Sequence, residues 1–140
     1  MIYLYELISD EKWLLATLDH KFNLQQLHHK LNFIRVLYAK PMLVSSGYRS
    51  KEDHFRIYND INEKRKQRGD QELTIPWKSN HLQGAAADIH DEFQGLQKWL
   101  SDNLDVVEHL GLYMEKFEHT PNWVHFQIYP PKSGLRLFNP

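Results

Sequence analysis

The segment Trp123 to Tyr129 alternates as a half-buried β-strand does, and that alternation constrains much of the chain. Successive strand side chains point to opposite faces. Val124, Phe126 and Ile128 then share a purely apolar face, and Trp123, His125, Gln127 and Tyr129 share the other. The core takes the first face, so His125 points to a polar or concave side. Leu112 to Glu115 reads as the partner strand of a hairpin, joined through a loop containing Thr120-Pro121-Asn122. On that strand Tyr113 and Glu115 share a face, opposite Leu112 and Met114. Glu115 and His125 can therefore lie on the same side of one hairpin.

A second segment, Ser79 to Asp88, holds His81 and Asp88 seven positions apart. Small residues fill the interval from Gly84 to Ala87, and small side chains let backbone approach a metal or a neighbouring element closely. Two imidazoles and a carboxylate form a borderline ligand set that zinc accepts, with a fourth position left for water. A nearby Glu that is not a ligand would be the natural proton carrier. Nine histidines offer many chances for coincidence. Taken singly, each of these residues suits an ordinary structural role, and it is their contexts together that point to a site.

Composition narrows the alternatives. A chain of 140 residues favours one domain, spanning 1–140. Its 41% hydrophobic and 25% charged residues fit a globular protein with an ordinary core. The absence of cysteine excludes disulfides, thiolate zinc sites and cysteine nucleophiles. It leaves the redox compartment undetermined. A formal net charge of −1 provides no global field for nucleic acid or an anionic membrane. The basic stretch Lys64 to Gly69 reads as a solvated helix end rather than a polyanion site. No apolar run approaches the roughly 20 residues a membrane helix needs, so no membrane insertion is expected. Met1 to Leu7 lacks a basic region and carries Glu6, so no secretory signal is expected. The expectation is a monomer made in the cytoplasm, with another component responsible for any release.

The pattern predicts a short helix over 10–20 with Asp10 as its cap. A longer helix, capped by Asn23 and ended by Pro41, presents Leu24, Leu27, Leu31, Ile34 and Leu37 inward. Met42 to Val44 begins a strand running into Ser45-Ser46-Gly47-Tyr48-Arg49. Lys51 to about Arg65 is predicted helical, with His54, Ile57, Tyr58 and Ile61 on one face. Asp88 to His90 is a short strand, and Gln94 to His109 a helix followed by Gly111 as a C-terminal cap. The sum is α+β, with helices packed on a small antiparallel sheet.

Three segments in matching order resemble one family. Ser45-Ser46-Gly47-Tyr48-Arg49-Ser50 is similar to its S-G-Y-R-S segment. Ser79-x-His81-x-x-Gly84-x-Ala86-x-Asp88 is similar to its S-x-H-x-x-G-x-A-x-D signature. Trp123-Val124-His125 is similar to its final ligand motif. The family is that of the zinc peptidoglycan peptidases: D-alanyl-D-alanine carboxypeptidases and dipeptidases, and L-alanyl-D-glutamate phage endolysins. The Hedgehog signalling domain shares their fold. The resemblance covers about residues 45–127. It implies a Hedgehog-type fold, Zn2+ held by His81, Asp88 and His125, and Arg49 gripping a substrate carboxylate or carbonyl. It further implies that Ser79 braces the site or touches substrate, and that Gln83 contacts substrate. Tyr48 is read as packing.

The chain departs from that pattern at the general base. Many members carry an acid three residues before the last His, where this chain has Asn122. Others place it at the end of the preceding strand, which Glu115 fits. Glu118 is the runner-up and His119 a third choice, both otherwise read as a solvated loop tip. The resemblance implies hydrolysis of an amide bond in a peptidoglycan stem peptide, at a terminal D-Ala or an L-Ala–D-Glu bond. A phage or prophage lysis enzyme released through a holin, a virion-borne peptidase and a cytoplasmic one all agree with it. The alternative is a non-catalytic structural or binding module, for example virion-associated, that keeps the fold and perhaps the metal.

Overall fold

A computed structural model describes all 140 residues. Three helices open the chain: α1 (Leu4–Leu7), α2 (Asp10–Leu15) and α3 (Leu18–Tyr38). The helix expected over 10–20 thus stops at Leu15, and the long helix starts before Asn23. The cause is Thr17, whose Oγ1 accepts a hydrogen bond from the His20 amide at 3.2 Å and so caps α3. Asn23 is buried inside that helix and works across the fold instead. Its Nδ2 donates to the Gln83 carbonyl at 2.9 Å, and its Oδ1 accepts from the Tyr129 hydroxyl at 3.0 Å. Leu24, Leu27, Leu31 and Ile34 form the predicted inner face, while Leu37 is exposed.

Strand β1 (Leu43–Ser46) leads to α4 (Lys51–Gln67), which Ser50 caps by accepting from the Asp53 amide. Then follow β2 (Ala86–His90), α5 (Gly95–Asp102) and α6 (Leu104–His109). The single helix expected over 94–109 is two helices. Asn103 breaks it, with φ −132° and ψ 40°, and its Nδ2 donates to the Trp99 carbonyl at 2.7 Å. Such side-chain bonding to nearby backbone competes with helical continuation. Asp91 anchors the start of α5, accepting from the Leu96 and Gln97 amides at 3.0 and 2.8 Å. Gly111, at φ 65°, does follow α6 as a turn in the left-handed region.

Strands β3 (Tyr113–Glu115), β4 (Trp123–Gln127) and β5 (Leu137–Phe138) complete a five-stranded sheet of order β1-β2-β4-β3-β5. The first four strands pair antiparallel, as expected. The fifth pairs parallel to β3, with Met114 opposite Leu137, so the sheet is mixed. Two residues are too few to show alternation, which hides β5 in the sequence. The core lies between one sheet face and the helices: Val124, Phe126, Met114, Ala87 and Ile89 are fully buried and join the α3 leucines in one cluster. Full burial of a side chain of Leu or Ile size contributes about 1.5–3 kcal/mol. No helix is long and apolar enough to cross a membrane.

Candidate metal centre

The register of two strands creates the site. Asp88 on β2 lies directly opposite His125 on β4. Opposed residues of an antiparallel pair project from the same face. Here that face is the one the core leaves, as the alternation of Val124 and Phe126 requires. Asp88 Oδ1 is 2.8 Å from His125 Nδ1.

His81 arrives from outside the sheet, on a 3₁₀ turn spanning Asn80–Gln83. Ser79 caps that turn, its Oγ accepting from the His81 amide at 3.4 Å. Gly84 ends it at φ 68°, and a Cβ there would lie 2.8 Å from the His20 carbonyl oxygen. Glycine therefore lets the turn sit against α3 and places His81 over β2. His81 Nε2 is 3.4 Å from Asp88 Oδ2, and the two imidazole centroids are 5.3 Å apart. One ligand atom from each of His81, Asp88 and His125 falls within 4.8 Å of the others. Both histidines are buried.

The donor set fits a cation. His81 Nδ1 lies 2.9 Å from the Gly47 carbonyl oxygen. A carbonyl only accepts, so Nδ1 carries the proton and Nε2 turns a lone pair toward the Asp88 carboxylate. A lone pair facing an anionic oxygen is unfavourable unless a positive charge lies between them. A backbone partner on the outer nitrogen is also the usual way a ligating imidazole is oriented. Burial alone would push Asp88 up, but the hydrogen bond to His125, with its charge, holds it well below the usual carboxylate range. Burial would likewise push His125 down. The Asp88 hydrogen bond and charge, with Glu115 adding to them, instead raise it above its ordinary value. The group of His81, Asp88 and His125 can hold a metal ion.

A cleft of about 460 Å³ opens over this trio. Glu115 lines it, as do Arg49, Tyr58 and Ser79. Arg49 is tied down: its Nε and one terminal nitrogen donate to Ser46 Oγ at 3.1 and 3.0 Å, and its guanidinium is 3.8 Å from Asp88 Oδ2. Glu118 and His119 stand away from the cleft, side by side on an exposed turn at 3.7 Å. Gln83 lies elsewhere too, in a second depression of about 480 Å³ beside His20 and Asn23. Tyr48 packs against the core cluster and puts its hydroxyl 3.3 Å from His20 Nδ1.

Sequence reasoning did not assign a site role to several residues found here. Tyr58 reaches the cleft from α4. Burial raises its phenol, and Glu115 and Asp88 raise it further against the opposing pull of Arg49. It therefore stays a neutral donor. Phe138 on β5 meets the His125 ring edge-on at 6.4 Å. Its only signal was the apolar pair Leu137-Phe138. His54 is fully buried under the loop that carries Ser79, and its Nε2 donates to the Pro76 carbonyl at 3.1 Å. No family model matches the chain, and neither a curated protein nor a solved structure does so.

Proposed function

We propose that the protein is a zinc-dependent peptidase acting on peptidoglycan stem peptides. The observation that carries the proposal is the convergence of His81, Asp88 and His125 within 4.8 Å at the floor of a cleft that Glu115 and Arg49 also line. Two imidazoles and one carboxylate leave a position for water, the arrangement of catalytic rather than structural zinc. The three motif resemblances, in matching order, supply the substrate class.

When bound, zinc would lower the pKa of a water to about 7 and polarise the amide carbonyl. The chain's own residues do the rest. Glu115 takes the proton and delivers it to the leaving amine, a role typically worth about 10² to 10⁴ in rate. Arg49, held by Ser46, offers a planar pair of donors to a carboxylate. The neutral Tyr58 hydroxyl is available to a carbonyl oxygen. Ser79 braces His81 through the turn it caps.

Two measurements test this reading. Metal analysis after zinc supplementation should find about one zinc per chain, lost in His81→Ala and Asp88→Ala. A panel of stem peptides should yield new amino groups by mass spectrometry, from a D-Ala end or an L-Ala–D-Glu bond. A folded wild type that takes up zinc yet cuts no stem peptide would favour a non-catalytic binding module instead.

A further inference from the structure

The metal cleft continues past the trio. A further depression of about 640 Å³ adjoins it, and the two share Asn80, Gln127, Phe138 and Pro140 as a common wall. Clefts of about 300–1,000 Å³ accommodate ligands of drug size, so together they form one groove longer than a single amino-acid residue needs. The far end of that groove is stiff. Pro130 and Pro131 have φ fixed by their rings, and the Gly134 amide donates to the Pro131 carbonyl at 2.9 Å to close a turn. Opposite, the Lys116 amide donates to the Phe138 carbonyl at 2.8 Å and ties the end of β3 to β5. A surface already ordered loses little entropy when a chain is laid on it.

The two halves of the groove differ in charge. The metal cleft mixes Arg49 and Lys78 with Asp88 and Glu115. The further depression is lined by Lys116 and Lys132 and by no acid. Neither lysine joins any of the ion pairs in the molecule. The whole chain has a net charge of −1, so this cationic end is a local feature and not the consequence of a basic protein. Unpaired cations at one end of a groove favour a ligand that brings carboxylates there.

We infer that the depression lined by Lys116 and Lys132 is an extended substrate subsite. It receives an acidic peptide segment lying beyond the residues at the metal, and it makes the groove selective for acidic peptides over neutral ones. This rests on the peptidase reading above. The two lysines touch substrate away from the bond that is cut, so they act on binding and leave the chemical step alone.

The test uses a stem tetrapeptide with a free D-Glu carboxylate and a copy in which that carboxylate is an amide. Calorimetry on the full chain without added metal, in low salt, should find the acidic peptide bound about three- to tenfold more tightly. The preference should fade in high salt. Lys116→Gln/Lys132→Gln should bind both peptides alike, whereas Lys64→Gln/Lys66→Gln, at the exposed end of α4, should keep the preference. With zinc present, Lys116→Gln/Lys132→Gln should raise KM for the acidic peptide by the same factor and leave kcat unchanged. Equal affinity of the wild type for the two peptides would overturn the inference. So would a preference that survives Lys116→Gln/Lys132→Gln. A wild type that shows the preference yet cuts neither peptide with zinc would sink the peptidase reading and leave the acidic subsite standing.

Discussion

The Gly47 carbonyl oxygen sits 2.9 Å from His81 Nδ1, and Gly47 itself is pressed against Leu7 so closely that a Cβ would lie 2.3 Å from the Leu7 carbonyl oxygen. The N-terminal helices thus reach the metal trio through one backbone group. The contact is reinforced next door, where the Tyr48 amide donates to that same Leu7 oxygen at 2.7 Å. Gly47→Ala must push these two stretches of backbone apart. Overpacking of this kind costs about 1–3 kcal/mol. Because His81 would lose its orienting acceptor, zinc affinity should also fall about 10- to 100-fold. Urea unfolding and zinc calorimetry on the one variant check both. A destabilised variant with wild-type affinity would show that Gly47 matters only for packing.

Zinc binding should depend on a proton held by His125. Its pKa is raised in the metal-free protein, because the hydrogen bond and charge of Asp88, helped by Glu115, outweigh burial. A metal must displace that proton to reach the ring nitrogen. Affinity should therefore fall as the pH drops below the raised value, by about tenfold per unit for one proton. Calorimetry in buffers of different ionisation enthalpy should count the proton released. His125→Ala should remove this competition together with the affinity.

His54 has the opposite linkage. Burial lowers its pKa from the ordinary 6.5, Arg49 and His81 lower it further, and only the hydrogen bond to the Pro76 carbonyl opposes them. The folded protein keeps His54 neutral where the unfolded chain would protonate it. Its contribution is therefore fully present above about pH 6.5 and is lost as the pH falls toward the depressed folded value. The ring packs on Tyr58 and Trp77, at 4.9 and 5.7 Å between centroids. His54→Phe should be less stable than wild type at neutral pH, because it strands the Pro76 carbonyl, but should lose less stability on acidification. Urea midpoints of the metal-free proteins on either side of pH 6.5 provide the comparison. A gap between the two that does not narrow in acid would refute the assignment.

What the sequence revealed and what it hid follow from how local each signal is. Strand alternation over Trp123 to Tyr129 placed His125 on the non-core face because period two is a property of seven consecutive residues. The α3 leucines were equally legible through their spacing. The caps were harder: Thr17 and Asn23 are both acceptable N-caps, and only the distant Gln83 and Tyr129 partners decide between them. Asn103 looked like one more helical residue until its bond to the Trp99 carbonyl was seen. Neither β5 nor the burial of His54 has any local pattern, since each depends on chain returning from far away. Gln83 belongs to the most specific motif, yet it faces away from the trio on the far side of its turn. A motif fixes residue types, whereas a 3₁₀ turn points its side chains in three directions.

The choice of base separates Glu115 from Glu118. Glu115 ends β3, lines the metal cleft and raises His125 through its charge, all of which put its carboxylate on the right side of the hairpin. Glu118 belongs to an exposed turn and pairs with His119. Glu115→Gln keeps size and hydrogen bonding but cannot accept a proton at neutral pH. It should retain about one zinc per chain and lose about 10² to 10⁴ in the rate of stem-peptide cleavage, with little change in KM. Glu118→Gln should leave both zinc content and rate near wild type. Arg49→Ala should act differently from either. With its two donors gone, a substrate carboxylate loses its grip, so KM should rise, and the loss of a charge 3.8 Å from Asp88 should change zinc affinity only modestly. Steady-state kinetics on the three variants, with zinc measured on each, would distinguish them. A rate collapse in Glu118→Gln with a near-normal Glu115→Gln would move the base to the loop and require that turn to close over the cleft.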